Sequence, residues 1–126
     1  MMRREERRDH SPYWRVLLEE RWQTRLQEVT ELSLAYHGAV AAGQPGQQSQ
    51  HERQETRRLL RRAVAARQKL AHTEEALGRL ASGDFGRCEE CGSLIPVGLL
   101  RAIPESRYCP RCTAEPAPAA QRTGAS

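Results

Sequence analysis

Cys88-Glu-Glu-Cys91 and Cys109-Pro-Arg-Cys112 are the two stretches that decide the fold of this 126-residue chain. They hold all four of its cysteines. A CxxC pair brings two thiolates onto one tight turn, and two such pairs can surround a single Zn²⁺ as a tetrahedron. With four protein ligands, the metal has no open position for water or substrate. The spacing therefore predicts one structural zinc ion, bound by these four cysteines.

The residues beside the cysteines are suited to such turns. Gly92 permits a positive φ angle, and Pro110 favours a turn inside the second pair. Two other interpretations stay open. Thioredoxin-like redox chemistry uses a single CxxC in a strand-helix-strand setting, whereas this chain has two pairs. Disulfides require an oxidising compartment, and the charged first residues do not resemble a signal peptide.

Composition limits the size of the core and the class of protein. The chain is 38% apolar and 29% charged, which allows one small core that a metal would help to stabilise. No apolar run approaches the roughly 20 residues of a membrane span. We therefore expect a soluble, cytoplasmic protein. A net charge of +4 is weak support for an anionic partner, because arginine-rich helix surfaces are often merely solvated.

A long first helix is predicted to begin at Ser11-Pro12, an N-cap followed by proline at the first helical position. Neither glycine nor proline interrupts residues 13–37. Apolar residues recur there at spacings of three and four, which is the pattern of one helical face. This predicted face consists of Leu18, Trp22, Leu26, Val29, Leu32 and Tyr36.

A second long helix is predicted to begin near Ser49, after a turn that is rich in glycine. Its apolar and small residues follow a heptad spacing, which requires a partner helix. The predicted seam consists of Leu59, Ala63, Ala66, Leu70, Thr73, Leu77 and Leu80. Because a short turn joins the two helices, we expect an antiparallel pair in which the alanines face bulky residues of the first helix.

These patterns predict a mainly α-helical protein with a helical hairpin, a small zinc-finger module and a disordered tail. The expected boundaries are a charged lead-in at 1–10, the hairpin at 11–82 with its turn at 38–50, the zinc module at 83–113 and the tail at 114–126. Between the two cysteine pairs, a set of apolar residues predicts short strands or a short turn.

Arginines form a stripe on the outer face of the second helix. Arg57, Arg58, Arg61 and Arg62 are its candidate partner-contact residues. The alternative is a solvated surface with no partner. We find no phosphate-binding glycine loop and no ordered nucleophile, base and acid set, so the sequence does not predict an enzyme.

Three stretches of this chain together resemble the DksA/TraR family of bacterial zinc-finger proteins. They are residues 76–95 with their GDFGRCEECG element, Leu100-Arg-Ala-Ile-Pro104, and the second cysteine pair. The resemblance implies a zinc module that carries an antiparallel coiled coil, whose tip enters the secondary channel of RNA polymerase. It also implies transcription regulation without binding to promoter DNA, in some members together with ppGpp.

Two positions depart from the pattern of this family. Acidic-tipped members carry two aspartates at the hairpin tip, where this chain has Gln44 and Gln47. The arginine that contacts ppGpp in the family corresponds to Ile103, so a ppGpp response is doubtful. The resemblance predicts polymerase binding with a non-acidic tip. A second hypothesis remains, in which the hairpin and zinc module form a scaffold that binds RNA or an acidic protein through the arginine stripe.

Overall fold

Four helices follow one another in this computed structural model, which describes residues 12–43 and 48–113. They are α1 (Pro12–Ala42), α2 (Gln50–Ser82), α3 (Val97–Ala102) and α4 (Pro110–Thr113). The prediction of a mainly α-helical hairpin with a four-cysteine module is confirmed. The predicted lead-in at 1–10 and tail at 114–126 lie outside the described residues. Within the described part of the chain, no helix is long and apolar enough to cross a membrane.

Helix α1 begins at Pro12, as its sequence predicts, but it ends later than expected. It continues through Gly38 to Ala42, whereas the turn was predicted to begin at residue 38. A single glycine costs a helix about 1 kcal/mol relative to alanine, which is too little to end a long helix with alanines on the far side. The described helices therefore end at Ala42 and resume at Gln50, and residues 44–47 lie outside the described part.

Reciprocal hydrogen bonds fix the start of α2. The Ser49 hydroxyl accepts from the Glu52 backbone N–H at 3.1 Å, and the Glu52 carboxylate accepts from the Ser49 backbone N–H at 2.8 Å. This capping box satisfies two helix-terminal donors. At the other end, Gly83 has φ 87°, and the Asp84 backbone N–H donates to the Arg79 carbonyl at 2.8 Å. That bond and the positive φ are the Schellman ending of a helix.

The chain divides into two compact units, whose boundaries fall inside the long helices. One unit spans Leu17–Glu74 and contains most of α1 and α2. The other contains the chain up to Val16 and from Glu75 onward. The boundary at 82/83 that the sequence predicts coincides with the end of α2 and stays a prediction.

The Leu17–Glu74 unit is an antiparallel pair with a narrow apolar seam. Val29 and Leu32 of α1 are buried against Ala63 and Ala66 of α2, with Leu59 and Leu70 packed on the same cluster. The two alanines leave room for the larger side chains opposite them. Near one end of the pair, the Trp22 indole N–H donates to the Glu74 carboxylate at 3.1 Å. The predicted pairing of large residues with Ala63 and Ala66 is confirmed.

One predicted member of the α1 seam is wrong. Leu26 is 37% exposed, and the half-buried residue at this level is Arg25. The buried positions follow a seven-residue repeat through Trp22, Arg25, Val29 and Leu32, which leaves Leu26 on the flank. An arginine can serve in a seam because its aliphatic stem covers apolar surface.

The second unit has its own core around Phe85. Trp14, at the start of α1, lies with its ring centroid 5.2 Å from that of Phe85. Both side chains are buried, as are Ile95 and Leu100 from the segment between the cysteine pairs. That segment contains helix α3, and its Leu94 forms an isolated bridge with Arg87 on the other side of the first cysteine pair, in place of the predicted short strands or turn.

A charged cluster ties three parts of this second unit together. The Glu89 carboxylate, in the first cysteine pair, accepts from Arg79 of α2 at 3.3 Å and from Arg107 at 2.9 Å. The hydrogen bonds from Arg107 hold the pKa of the Glu89 carboxyl below its ordinary value. The Glu89 backbone N–H also donates to the Arg107 carbonyl at 2.8 Å. The Glu89 carboxylate thus links the end of α2, the first cysteine turn and the segment just before the second cysteine pair.

Leu70→Ala tests the hairpin seam. Because Leu70 packs on the Val29 and Leu32 cluster, its truncation should lower the free energy of unfolding by about 2 kcal/mol. Leu70→Asp should unfold the pair. Leu34→Ala is the matched control, because Leu34 is 68% exposed and its loss should change stability by less than about 0.5 kcal/mol. Equal effects of the two alanine variants on urea unfolding would contradict the packing.

Glu89→Gln tests the charged cluster. The amide cannot pair with Arg79, whose side chain is only 14% exposed, so the second unit should lose about 1 kcal/mol of stability. Trp14 fluorescence during thermal unfolding, in a Trp22→Phe background, reports this unit. Glu90→Gln changes the neighbouring exposed carboxylate and should leave the melting curve in place. A Glu89→Gln melting curve that matches that control would show that the cluster contributes nothing.

Candidate metal centre

The four cysteines converge on one point. The sulfur atoms of Cys88, Cys91, Cys109 and Cys112 all lie within 4.8 Å of one another. The Cys91 and Cys109 sulfurs are 3.7 Å apart. A Zn–S bond of about 2.3 Å gives a tetrahedron edge of about 3.8 Å, so this spacing fits a zinc ion at the centre. The donor set is purely thiolate, which zinc favours.

The first cysteine pair lies on a turn held by backbone hydrogen bonds. The Gly92 N–H donates to the Cys88 carbonyl at 2.9 Å, and the Cys88 N–H donates to the Ser93 carbonyl at 2.8 Å. Gly92 has φ 79°, a region that residues with a side chain rarely adopt. The Arg87 guanidinium donates to the Gly92 carbonyl at 2.9 Å. The predicted role of Gly92 is confirmed.

The second pair lies at the start of a short helix. Pro110 is the first residue of α4, and the Thr113 N–H donates to the Cys109 carbonyl at 2.8 Å. One helical turn therefore brings Cys112 back to the side of Cys109. The Arg111 guanidinium hydrogen-bonds the Cys91 sulfur, which raises the pKa of Arg111 and adds positive charge beside the thiolates.

Hydrogen bonding makes the four thiols unequal. The Ser93 hydroxyl and backbone N–H hydrogen-bond the Cys91 sulfur and lower the pKa of its thiol to about 6. Burial opposes ionisation of Cys88, but hydrogen bonds from the backbone at Cys109 and Cys91 outweigh it and lower the pKa of that thiol. A hydrogen bond with Cys88 raises the pKa of Cys112 to about 12. Without metal the cluster therefore keeps a proton, which a zinc ion must displace.

The four cysteines differ in exposure. Cys88 and Cys109 are buried, Cys112 is half-buried, and Cys91 is exposed. Phe85 and Ile95, close to the first pair in sequence, are almost completely buried. Sequence reasoning missed the part that Trp14 plays, since it packs on Phe85 from a distant point of the chain. The spacing of four between Trp14 and Leu18 extends the apolar face of α1 and was the available signal.

The candidate partner-contact residues on α2 are exposed neighbours. Arg57, Arg58, Arg61 and Arg62 are all exposed on α2, and Arg58 pairs with Glu55 at 3.3 Å. Residues three and four positions apart are neighbours on a helix, so these four arginines lie along one arc of the exposed surface of α2, and their contact with a partner stays a prediction. The tip residues Gln44 and Gln47 lie outside the described residues. Ile103, directly after α3, is 51% exposed.

Among known proteins, one family matches the zinc-finger region of this chain, and one solved structure matches its fold. The family model of the prokaryotic dksA/traR C4-type zinc finger matches residues 83–115. The structure of transcription factor DksA2 from Pseudomonas aeruginosa superposes with a TM-score of 0.75, at 22% sequence identity, over 86% of this chain and 84% of that chain. At 22% identity, this match shows a similarity of fold only.

A third match concerns sequence over a shorter stretch. An uncharacterized protein of Aquifex aeolicus (strain VF5) is 44% identical over 46 residues, which is 36% of this chain. The match spans 32% of the length of that relative.

Four converging sulfurs and a C4-type family match together identify one structural zinc ion. The resemblance drawn from the sequence is confirmed: this chain carries the zinc finger of the DksA/TraR family on a fold shared with DksA2.

Proposed function

We propose that this protein is a transcription regulator of the DksA/TraR type, which binds RNA polymerase through the secondary channel of the enzyme and does not bind promoter DNA. The observation that carries the proposal is the combination of a helical hairpin with a dksA/traR C4-type zinc finger in one chain. It is supported by the fold likeness to a protein described as a transcription factor over 86% of the chain. In this proposal the protein is not an enzyme, and it acts in the cytoplasm.

The zinc ion has a structural role in this proposal. Cys88, Cys91, Cys109 and Cys112 are its four ligands, so no coordination position remains for a substrate. When bound, the metal supplies a rigid cross-link between the two cysteine turns. The protein contributes the hydrogen bonds at Ser93 and Gly92 that orient the sulfurs.

The helices are long enough to reach into a channel. Helix α1 has 31 residues and α2 has 33, which correspond to about 46 and 50 Å at 1.5 Å per residue. The capping box at Ser49 stabilises the first turn of α2, which is the end of that helix nearest the tip in sequence. A narrow seam with alanines keeps the pair slim, as a probe that enters a channel requires.

The tip is the part that would approach the catalytic region. Gln44 and Gln47 are neutral amides, so they cannot supply the negative charge that carboxylates would place near a catalytic metal ion. Ile103 cannot pair with a phosphate, and it is exposed rather than buried. We propose that the protein occupies the channel, alters initiation weakly and responds little to ppGpp.

Tip charge is tested by Gln44→Asp combined with Gln47→Asp. Wild-type protein should bind purified polymerase and compete with other channel-binding factors, while changing open-complex lifetime only weakly. The double variant should change that lifetime more strongly without tighter binding, because the added charge acts at the tip alone. Gln48→Asp with Gln50→Asp adds the same charge nearby and is the matched control. A wild-type protein already as potent as the double variant, or strongly enhanced by ppGpp, would contradict the proposal.

A pull-down from nuclease-treated lysate distinguishes the polymerase proposal from the alternative scaffold hypothesis. Polymerase subunits should remain bound to the wild-type protein after nuclease treatment. An RNA partner should be lost, and its recovery in place of polymerase would favour binding through the exposed arginines.

Zinc ligation is tested by Cys88→Ser and Cys109→Ser. Reduced wild-type protein should contain one zinc per chain, and each variant should lose it, because a hydroxyl is a poor replacement for a thiolate ligand. Circular dichroism should show that the helices of the Leu17–Glu74 unit largely persist. Zinc content near zero in freshly purified, reduced wild-type protein would overturn the assignment.

A further inference from the structure

The half-buried and buried residues of α2 give the register of its seam. Within the Leu17–Glu74 unit they recur at spacings of three and four, at Thr56, Leu59, Ala63, Ala66, Leu70 and Thr73. In this repeat, the two residues inside each spacing of three point away from the partner helix, as does the middle residue of each spacing of four. From residue 54 onward, the exposed outward positions of this unit are Gln54, Arg57, Arg58, Arg61, Val64, Ala65, Gln68, Ala71 and His72.

Positive charge is concentrated at one end of this outward face. Arg57, Arg58 and Arg61 occupy three outward positions, and Arg62 lies beside them. We call these four residues the arginine arc. Arg57 and Arg61 form one row at a spacing of four, and Arg58 and Arg62 form a second row. Like charges at this spacing repel and destabilise a helix, so helix formation does not require the arc.

The carboxylates of α2 do not neutralise the arginine arc. Residues 50–74 contain seven basic residues and three acidic ones. None of the three acidic residues occupies an outward position, and each already has a partner. The Glu52 carboxylate accepts from the Ser49 N–H, Glu55 pairs with Arg58 at 3.3 Å, and Glu74 accepts from the Trp22 indole.

The neighbouring helix adds no negative charge at this level. Leu32 of α1 packs in the same cluster as Ala63, so the residues after Leu32 lie alongside the stretch of α2 that precedes Ala63. Residues 33–42 of α1 contain neither Asp nor Glu. Within the described residues, the members of the arc other than Arg58 have no carboxylate at ion-pair distance. The arginine arc therefore keeps positive charge that the hairpin does not compensate.

We propose that the arginine arc binds the sugar-phosphate backbone of double-stranded RNA, without reading its sequence. Each guanidinium group is planar and donates two parallel hydrogen bonds to one phosphate, which a lysine cannot do. The two rows of arginines are about 100° apart around the helix, so they reach phosphates on both sides of the line along which α2 would lie. This proposal goes beyond polymerase binding and does not depend on it.

The composition of the outward face argues against a protein or a membrane as its occupant. A protein interface places apolar and aromatic residues at its centre and charged residues at its rim. On this face the arginines are the centre, and the exposed apolar residue Val64 lies beyond them. A helix binds a lipid surface by burying an apolar face. The outward positions from Gln54 to Arg61 contain no apolar residue that could supply one.

Two further features favour duplex RNA among the nucleic acids. The outward positions carry no Phe, Tyr or Trp, on which the bases of a single strand would stack. Gln54 precedes Arg57 and Arg58 by one helical turn, and its amide can both donate to and accept from a ribose 2′-hydroxyl. Duplex RNA displays these hydroxyls beside its phosphates in a wide, shallow minor groove. DNA has no such hydroxyl, so it cannot make this contact.

Fluorescence anisotropy with the full-length, zinc-loaded protein tests the proposal. The probe is a fluorescein-labelled RNA duplex of about 20 base pairs, compared with a DNA duplex of the same sequence and with one RNA strand alone. The RNA duplex should bind most tightly at about 50 mM salt, and its affinity should fall about a hundredfold by about 200 mM, as expected for four phosphate contacts. An RNA duplex of unrelated sequence should bind equally well. No polymerase is present, so failure here leaves the polymerase proposal untouched.

Charge-removing variants locate the binding surface. Arg57→Gln with Arg61→Gln should weaken RNA binding by at least about tenfold and make it less salt-dependent, because two phosphate contacts are lost. Arg15→Gln with Arg101→Gln removes the same charge from exposed residues of the other unit and should weaken binding less than about threefold. Gln54→Ala should narrow the preference for RNA over DNA. Circular dichroism and zinc content should stay unchanged in all three variants, since the substituted residues are exposed.

Several results would overturn the proposal. One is that the wild-type protein does not bind the RNA duplex at about 50 mM salt. Equal losses from the two double variants would indicate attraction to net charge rather than to the arginine arc. A DNA duplex bound as tightly as RNA would exclude the contact with the 2′-hydroxyl. Tighter binding of the single strand would exclude the duplex, and tighter binding of a labelled polyglutamate peptide would assign the arc to an acidic protein.

Discussion

The convergence of four sulfur atoms is the constraint on which the zinc module after α2 depends. The segment between the cysteine pairs contains a six-residue helix and little other regular structure, and one isolated bridge joins its Leu94 to Arg87. Its few buried side chains, such as Ile95 and Leu100, could hardly order so short a stretch alone. A zinc ion bound by Cys88, Cys91, Cys109 and Cys112 would couple metal binding to the folding of this part.

The hairpin is stabilised on a different principle. Its seam uses small residues, with Ala63 and Ala66 opposite Val29 and Leu32, so that two long helices pack closely over a narrow contact. Arg25 occupies one seam position in place of an apolar residue. The result is a slim pair whose packing depends on the seam and leaves the outer surfaces of both helices exposed.

Local sequence signals predicted the parts of the structure that depend on local geometry. Cysteine spacing, the positive φ of Gly92, the start of α1 at Pro12 and the heptads of α2 all follow from rules that act over a few residues. The continuation of α1 through Gly38 was missed because a single glycine is a weak stop within a long cooperative helix. Helix α3 was missed because its six residues are too few to show a period.

Contacts between distant residues could not be read from one sequence. Trp14 packs on Phe85 across 71 positions, and Glu89 joins Arg79 to Arg107, without any spacing rule that announces either contact.

Polymerase binding through the hairpin tip is the central functional claim, and crosslinking tests it most directly. A photo-crosslinking amino acid in place of Gln47 should, with purified RNA polymerase, attach to residues that line the secondary channel, and mass spectrometry would locate them. The same residue in place of Leu34, on the outer surface of α1, provides the comparison. Crosslinks from position 47 only to the outer surface of polymerase, or none at all, would contradict the claim.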